Sequence, residues 1–378
     1  MIYAVTCYHF LYLLYQCKIV NSEWVQIKVP GQSGMQFVSG AWSTSSNCVV
    51  VGNQGSSSTK KGQIIRTVNK GLSWSISNLT GGSFGRLTDV STTPGGYLNK
   101  AIFLAVDYST SLPIQGRIYI SNNNGTSWTT AATKYGGKTS FPKLNAITMG
   151  LNGIAYAAGY VSGNGFKIFS SSYSTTFTVW NNVSYLSKDM IIQSITTYDG
   201  VNVIAVGTNT TSFIQHGIIY STQNGGIKWT AAPTYSNSVQ VIYSASSASS
   251  SVAMIAGDSG YVAKTNDGGL SWNIVNVFNS TGYVCLYHSI SMVSASIIFI
   301  SGFIQSSEVT SVIYKSTDGG STWNIEQSGI SAAYSLSMYN SIIGVAGTSQ
   351  GLYVRTSSMK STKIIYHSIY IYILTRSY

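Results

Sequence analysis

Ten carboxylates stand in this 378-residue chain, and two of them, Asp267 and Asp318, fall in a stretch that recurs along it. The stretch is plainest at residues 315–323, KSTDGGSTW, where an Asp-Gly-Gly cluster between hydroxyls has the make-up of a catalytic or ion-binding loop. Its relatives decide otherwise. TVNKGLSW (67–74), SNNNGTSW (121–128), TQNGGIKW (222–229) and TNDGGLSW (265–272) share with STDGGSTW (316–323) the pattern [Ser/Thr]-x-[Asp/Asn]-x-Gly-x-[Ser/Thr/Lys]-Trp. Asn69, Asn123 and Asn224 hold the position of Asp267 and Asp318, and an amide cannot exchange a proton as a carboxylate does. What survives the exchange is turn chemistry. An Asp or Asn side chain accepts from backbone amides two residues on, and Gly71, Gly125, Gly226, Gly269 and Gly320 supply a positive φ. Trp74, Trp128, Trp229, Trp272 and Trp323 then cover each hairpin, so the box is read as a structural staple.

The other polar residues offer little catalytic machinery. Glycoside hydrolysis needs two carboxylates across a cleft, and Asp89, Asp107, Asp189, Asp199, Asp258 and Glu308 remain for it, with no spacing that singles out a pair. His9, His216, His288 and His367 lack metal-ligand spacing, and no G-x-S-x-G elbow is present, so no metal and no cofactor is expected. Cys48 and Cys285 read as buried, unbridged strand residues.

The elements that carry the boxes are strands. With a degenerate copy ending at Trp180, the tryptophans recur every 43 to 54 residues, one supersecondary unit per repeat. An apolar run ending near glycine (CVVVG, IFLAV, IAYAAG, VIAVG, VAMIAG, IIFISG, IIGVAG) precedes each box, followed by a second short strand such as GRIYIS or SVIYKS. Seven such pairs occur. The expectation is an all-β, seven-bladed β-propeller of four-stranded antiparallel blades. The seventh unit has no box tryptophan, and the N-terminal SEWVQIKVP, with Trp24, supplies the missing strand and closes the ring; the C-terminal KIIYHSIYIYIL is the rival donor. The expected organisation is a signal-like or disordered segment over 1–21, one propeller over 22–363 and a tail over 364–378.

Charged residues make up only 8% of the chain, and 21 bases against 10 acids leave a net charge of +11, which suits an acidic partner. The bases are scattered without a stripe or recognition helix, so nucleic acid is not expected.

The boxes resemble Asp boxes, or BNR repeats, of sialidases, sortilin-type receptor propellers and the photosystem II assembly and stability factors. VIYKSTDGGSTW, with a base directly before the box, is most similar to the last family. That resemblance implies a monomeric, non-enzymatic scaffold for a protein or peptide, a photosystem II subunit in a photosynthetic organism, in the plastid or at the thylakoid. The alternative it implies is a secreted propeller that binds or hydrolyses glycans. A sialidase requires an arginine cluster, whereas Arg66, Arg86, Arg117, Arg355 and Arg376 are the only arginines and no FRIP-like motif is present.

Two surfaces are candidates for binding. One is a basic arc formed by the residues before four boxes, Arg66, Lys264, Lys315 and Arg355, whose units are consecutive once the ring closes. The other is the face of long loops between the second and third strands, with Lys60, Lys61, Asp107, Tyr108, His216 and Glu308.

Overall fold

In a computed structural model the described residues form a ring of seven blades of four antiparallel strands without α-helices, the all-β propeller expected, and in blade 2 a short fifth strand, Asn78–Leu79, adds parallel to Ser127–Ala132 at the outer edge. It describes residues 21–362 except 23, 30–33, 55–60, 94–100, 110–112, 138, 162–164, 184–189, 210–215, 233–240, 278–283, 306–308 and 357–360. Lys60, Asp189, Glu308, His9 and His367 lie outside the described residues, as do the segment 1–20 and the rival strand donor beyond 362.

Blade 1 runs Gln36–Trp42, Cys48–Gln54, Lys61–Thr67 and Ser75–Ile76. The first strands of blades 2 to 7 are Arg86–Thr92, Lys143–Met149, Met190–Thr197, Ile242–Ser247, Val284–Met292 and Ala333–Met338. Each packs on the first strands of both neighbouring blades, and blade 7 packs on blade 1, so these seven are innermost and the ring is closed. Second strands are buried on both faces because a blade lies to either side. That is why they read as continuous apolar runs rather than alternating ones.

Closure comes from the N-terminus. Trp24–Ile27 pairs antiparallel with Gly351–Arg355 as the outer strand of blade 7. The register differs by one from the other blades: Trp24 itself faces Arg355, whereas in blade 6 Asn324, the residue after Trp323, faces Lys315. Trp24 is still buried, against Phe299, Ile313 and Ile330 of blade 6.

An innermost strand presents an open sheet edge, and unpaired N–H groups there must be satisfied. The preceding blade does this with side chains. Ser244 and Ser246 Oγ accept from the Ile290 and Met292 amides, and Ser289 and Ser291 accept from Leu336 and Met338. In blade 2 the position belongs to Asp89, whose Oδ2 accepts from the Ile147 amide at 2.8 Å while Oδ1 accepts from Ser39 Oγ at 2.6 Å. Every first strand also carries an irregularity at one place, which leaves Val38, Thr88, Asn145, Gln193, Tyr243, His288 and Tyr334 outside the ladder.

Candidate functional site

The five box hairpins share one hydrogen-bond pattern. In blade 6, Ser316 Oγ donates to Asp318 Oδ1 (2.8 Å) and accepts from the Gly320 amide (2.9 Å), and Asp318 Oδ1 accepts from the Thr322 amide (2.9 Å). The amide held is thus four residues on, not two as an Asx-turn would have it, because the leading hydroxyl occupies the nearer position. In blade 1 Asn69 Oδ1 accepts from the Ser73 amide in the same way, and Asn69 Nδ2 donates to Ser73 Oγ (2.8 Å). In blade 6 the hydroxyl reverses its role and donates to Asp318 Oδ2 (2.6 Å). A rotating O–H accommodates either partner, which explains the Asp/Asn exchange.

The hydrogen bonds from Thr322 and Ser316 hold the Asp318 carboxyl down at about 2. Burial opposes the same shift at Asp267, where bonds from Ser271, Thr265 and Leu270 outweigh it and bring the carboxyl to about 2. The ring nitrogens of Trp74, Trp272 and Trp323 donate to the carbonyls of Gly71, Gly269 and Gly320, while Trp229 donates to Val183 O. Each glycine has positive φ and meets the preceding blade. A Cβ on Gly125 would lie 2.4 Å from Val49 Cγ2, and one on Gly71 2.6 Å from Val354 Cγ1. The degenerate third copy replaces the turn by a short 3₁₀ segment, Tyr173–Thr175, and Trp180 Nε1 donates to Phe177 O (2.7 Å).

The residues of the basic arc are drawn toward the blade interfaces. Lys264 Nζ donates to Gly319 O of the next blade at 2.9 Å. Lys315 and Arg355 meet: both lie 5.4 Å from the Phe299 ring, and both face Glu326, which Arg355 bonds directly and Lys315 approaches at 3.8 Å. Arg355 is 2% exposed. The Arg66 side chain lies along the Gly125 hairpin of blade 2.

On the long-loop face, Lys61 and His216 are exposed. Asp107 is buried and fully engaged, with Arg117 Nη2 at 2.7 Å, Tyr119 Oη at 2.7 Å and the Gly85 amide. Burial raises its pKa against those bonds. Tyr108 is buried beneath two cations: Lys143 Nζ lies 4.8 Å from its ring centroid and Arg86 Cζ 5.9 Å. Indeed all seven described carboxylates are committed. Asp199 holds the amides of Val201 and Asn202, Asp258 holds that of Val241, and Asp89, Asp107, Asp267, Asp318 and Glu326 are bound as above.

The unspent chemistry lies on the inner strands near the long-loop end. Tyr243, His288 and Tyr334, the irregularity residues of blades 5 to 7, form a continuous aromatic wall. Tyr243 stacks on His288 with centroids 4.6 Å apart, His288 meets Tyr334 at 5.5 Å, and Phe303 meets both at 5.0 and 5.6 Å. All three are half-buried, and among the described residues no hydrogen bond engages the two hydroxyls or the imidazole nitrogens. Burial lowers the His288 pKa, which favours the neutral ring; burial and then the Asp258 charge raise that of Tyr243. Apolar ring faces with polar tips are the ordinary make-up of a binding surface. Across the ring, Arg86 and Lys143 open the first strands of blades 2 and 3.

Sequence reasoning passed over this wall. Its signal is short: YSAS (243–246), HSIS (288–291) and YSLS (334–337) repeat the wall residue followed by Ser-x-Ser, with QSIT (193–196) and TDVS (88–91) as variants. Ser194, Ser244, Ser246, Ser289 and Ser291 of these are edge-capping hydroxyls, and the residue that opens each motif is the one released from the ladder.

No family model matches the chain, and no curated protein matches it significantly in sequence. Solved structures do. The chain is similar to YCF48 bound to D1 peptide, at 14% identity over 89% of this chain and 97% of that one, with TM-score 0.61. YCF48 from Cyanidioschyzon merolae is 16% identical over 89% and 99%, with TM-score 0.60. The GH74 xyloglucanase from Xanthomonas campestris is 12% identical, with TM-score 0.61; the match covers 87% of this chain and 52% of the enzyme. At these identities the likeness is one of fold, the seven-bladed propeller.

Proposed function

We propose that the chain is a non-enzymatic binding propeller that takes an extended protein or peptide segment at the long-loop mouth of its ring, and that its boxes are Asp-box repeats of the photosystem II assembly-factor type. The observation that carries the reading is the aromatic wall of Tyr243, His288 and Tyr334, whose hydrogen-bonding groups are unspent although the rings are half-buried. Stacked, half-buried rings with polar tips open to hydrogen bonding offer a ligand both apolar contact and directional recognition. The engagement of every described carboxylate supports binding over hydrolysis, which needs an acid and a base free to face substrate. YCF48 with a D1 peptide offers a precedent of fold for a peptide partner, and the net charge of +11 favours an acidic one.

The test is a peptide array spanning thylakoid membrane proteins, run beside a glycan array, with the wild-type chain and with His288→Leu and Tyr334→Ser. Peptide binding that falls about tenfold or more in either variant supports the reading, the loss expected for one or two hydrogen bonds and a stacking contact. Glycan binding without peptide binding would replace it by a carbohydrate-binding propeller, a reading that stacked aromatic rings also suit.

A further inference from the structure

Arg86 and Lys143 converge on one ring without a counter-ion. The Lys143 ammonium lies 4.8 Å and the Arg86 guanidinium carbon 5.9 Å from the Tyr108 centroid. Both side chains are half-buried, and neither forms an ion pair or hydrogen bond among the described residues. The carboxylate next to Tyr108 in the chain, Asp107, is already taken by Arg117 and Tyr119. Arg86, Lys143 and Arg117 against Asp107 therefore leave a local surplus of two positive charges. Burial, and then repulsion from Arg86, push the Lys143 pKa down. Two like charges on one face are unfavourable for the fold alone. One π face softens that cost for each cation but pairs neither.

We infer that Arg86 and Lys143, held over Tyr108 at the mouth between blades 2 and 3, form a carboxylate site that receives an acidic side chain of the bound peptide. The inference rests on the peptide reading above and assigns its two walls: aromatic contact from blades 5 to 7, charge recognition from blades 2 and 3. A carboxylate between the two cations gains charge-assisted hydrogen bonds from both and removes their repulsion. This basic site is distinct from the arc before the boxes, where Lys264, Lys315 and Arg355 have protein partners.

The experiment is calorimetric titration of the full chain with an acetylated, amidated tetraglutamate peptide and with its tetraglutamine counterpart. The wild-type chain is expected to bind tetraglutamate and not tetraglutamine. Arg86→Met and Lys143→Met each weaken binding about tenfold or more, as loss of a hydrogen bond to a charged group does. Lys70→Gln and Lys228→Gln, on exposed box hairpins, change it less than about twofold by the weakness of distant screened charge. Without peptide, Lys143→Met should melt at a higher temperature than wild type, because methionine keeps the packed stem and removes the unpaired charge. Absence of tetraglutamate binding, equal losses at the box lysines, or a lower melting temperature for Lys143→Met would each overturn the site. An array peptide whose affinity depends on His288 and Tyr334 but not on Lys143 sinks this inference and leaves the peptide reading standing. Tetraglutamate binding that depends on Arg86 and Lys143 but ignores His288→Leu and Tyr334→Ser keeps the anion site and removes the aromatic wall.

Discussion

Asp89→Ser should convert the one acidic member of the inner hydroxyl ring into its common form, and the stability gained should depend on pH. Ser39, Ser194, Ser244, Ser289 and Ser335 occupy the matching place in blades 1, 4, 5, 6 and 7. Asp89 is half-buried, and burial raises its pKa from 3.8 to about 6, although bonds from Ser39, Ile147 and Val90 pull the other way. A raised carboxyl means that folding favours the protonated form. Its stabilising contribution is therefore complete below 3.8 and is lost as pH rises through 6. A rise of this size is worth about 3 kcal/mol in all, of which about 2 kcal/mol falls between pH 4.5 and 7.5. The measurement is urea unfolding of wild type and Asp89→Ser across that range. Comparing the two proteins cancels other titrating groups, including His288, whose lowered pKa gives a slope of opposite sign. The serine variant should gain on wild type by about 2 kcal/mol as pH rises from 4.5 to 7.5. A stability difference that stays flat with pH would mean that Asp89 is solvated, and the account of the inner ring would fail there.

Two further outcomes follow from the boxes. Asp318→Asn should leave unfolding at pH 7 nearly unchanged, since Asn69 and Asn123 make the same bonds, whereas Trp323→Ala should cost about 3–5 kcal/mol; a large loss from the asparagine variant would contradict the staple. Gly125→Ala should be worse than Gly320→Ala, because both have positive φ but a Cβ meets Val49 at 2.4 Å in the first and Val275 only at 3.3 Å in the second. Expected costs are about 2–4 and about 1–2 kcal/mol in denaturant titrations, combining left-handed strain with overpacking, and equal costs would show that the blade contact is unimportant.

The ring was legible because its period is written in residues with few substitutes. Glycine at a positive φ and tryptophan between blades recur at matching places, and second strands buried on both faces give unbroken apolar runs. Trp24 could be assigned to blade 7 by counting, but not its one-residue offset, since that depends on how the strand pairs with Leu352 and Tyr353. The surroundings of Arg355 were also out of reach: Glu326 and Phe299, which enclose it, belong to another blade. Sequence order says which residue precedes a box, whereas burial between blades decides whether its charge is free. The aromatic wall was missed because its sequence mark is four residues long and resembles the many other serine-rich stretches of the chain.

The net charge itself changes meaning once the acids are placed. A chain with 21 bases and 10 acids invites a search for an extended basic surface. In the folded ring the described acids are consumed by turns, by the inner edge and by Arg117, Lys315 and Arg355, so their number says little about the surface left over. Most arc bases are consumed likewise. What distinguishes Arg86 and Lys143 is not that they are basic but that they are half-buried together with no partner among the described residues, a position the fold would not favour for its own stability. A related test picks out Tyr243, His288 and Tyr334, half-buried rings whose polar tips have no hydrogen bond among the described residues. Both groups lie at the long-loop end of the innermost strands and on opposite arcs of the ring. An extended ligand crossing that mouth would meet charge on one side and aromatic faces on the other. The box hairpins at the opposite face spend their hydroxyls and carboxylates internally, which makes them the poorer place to look for a partner.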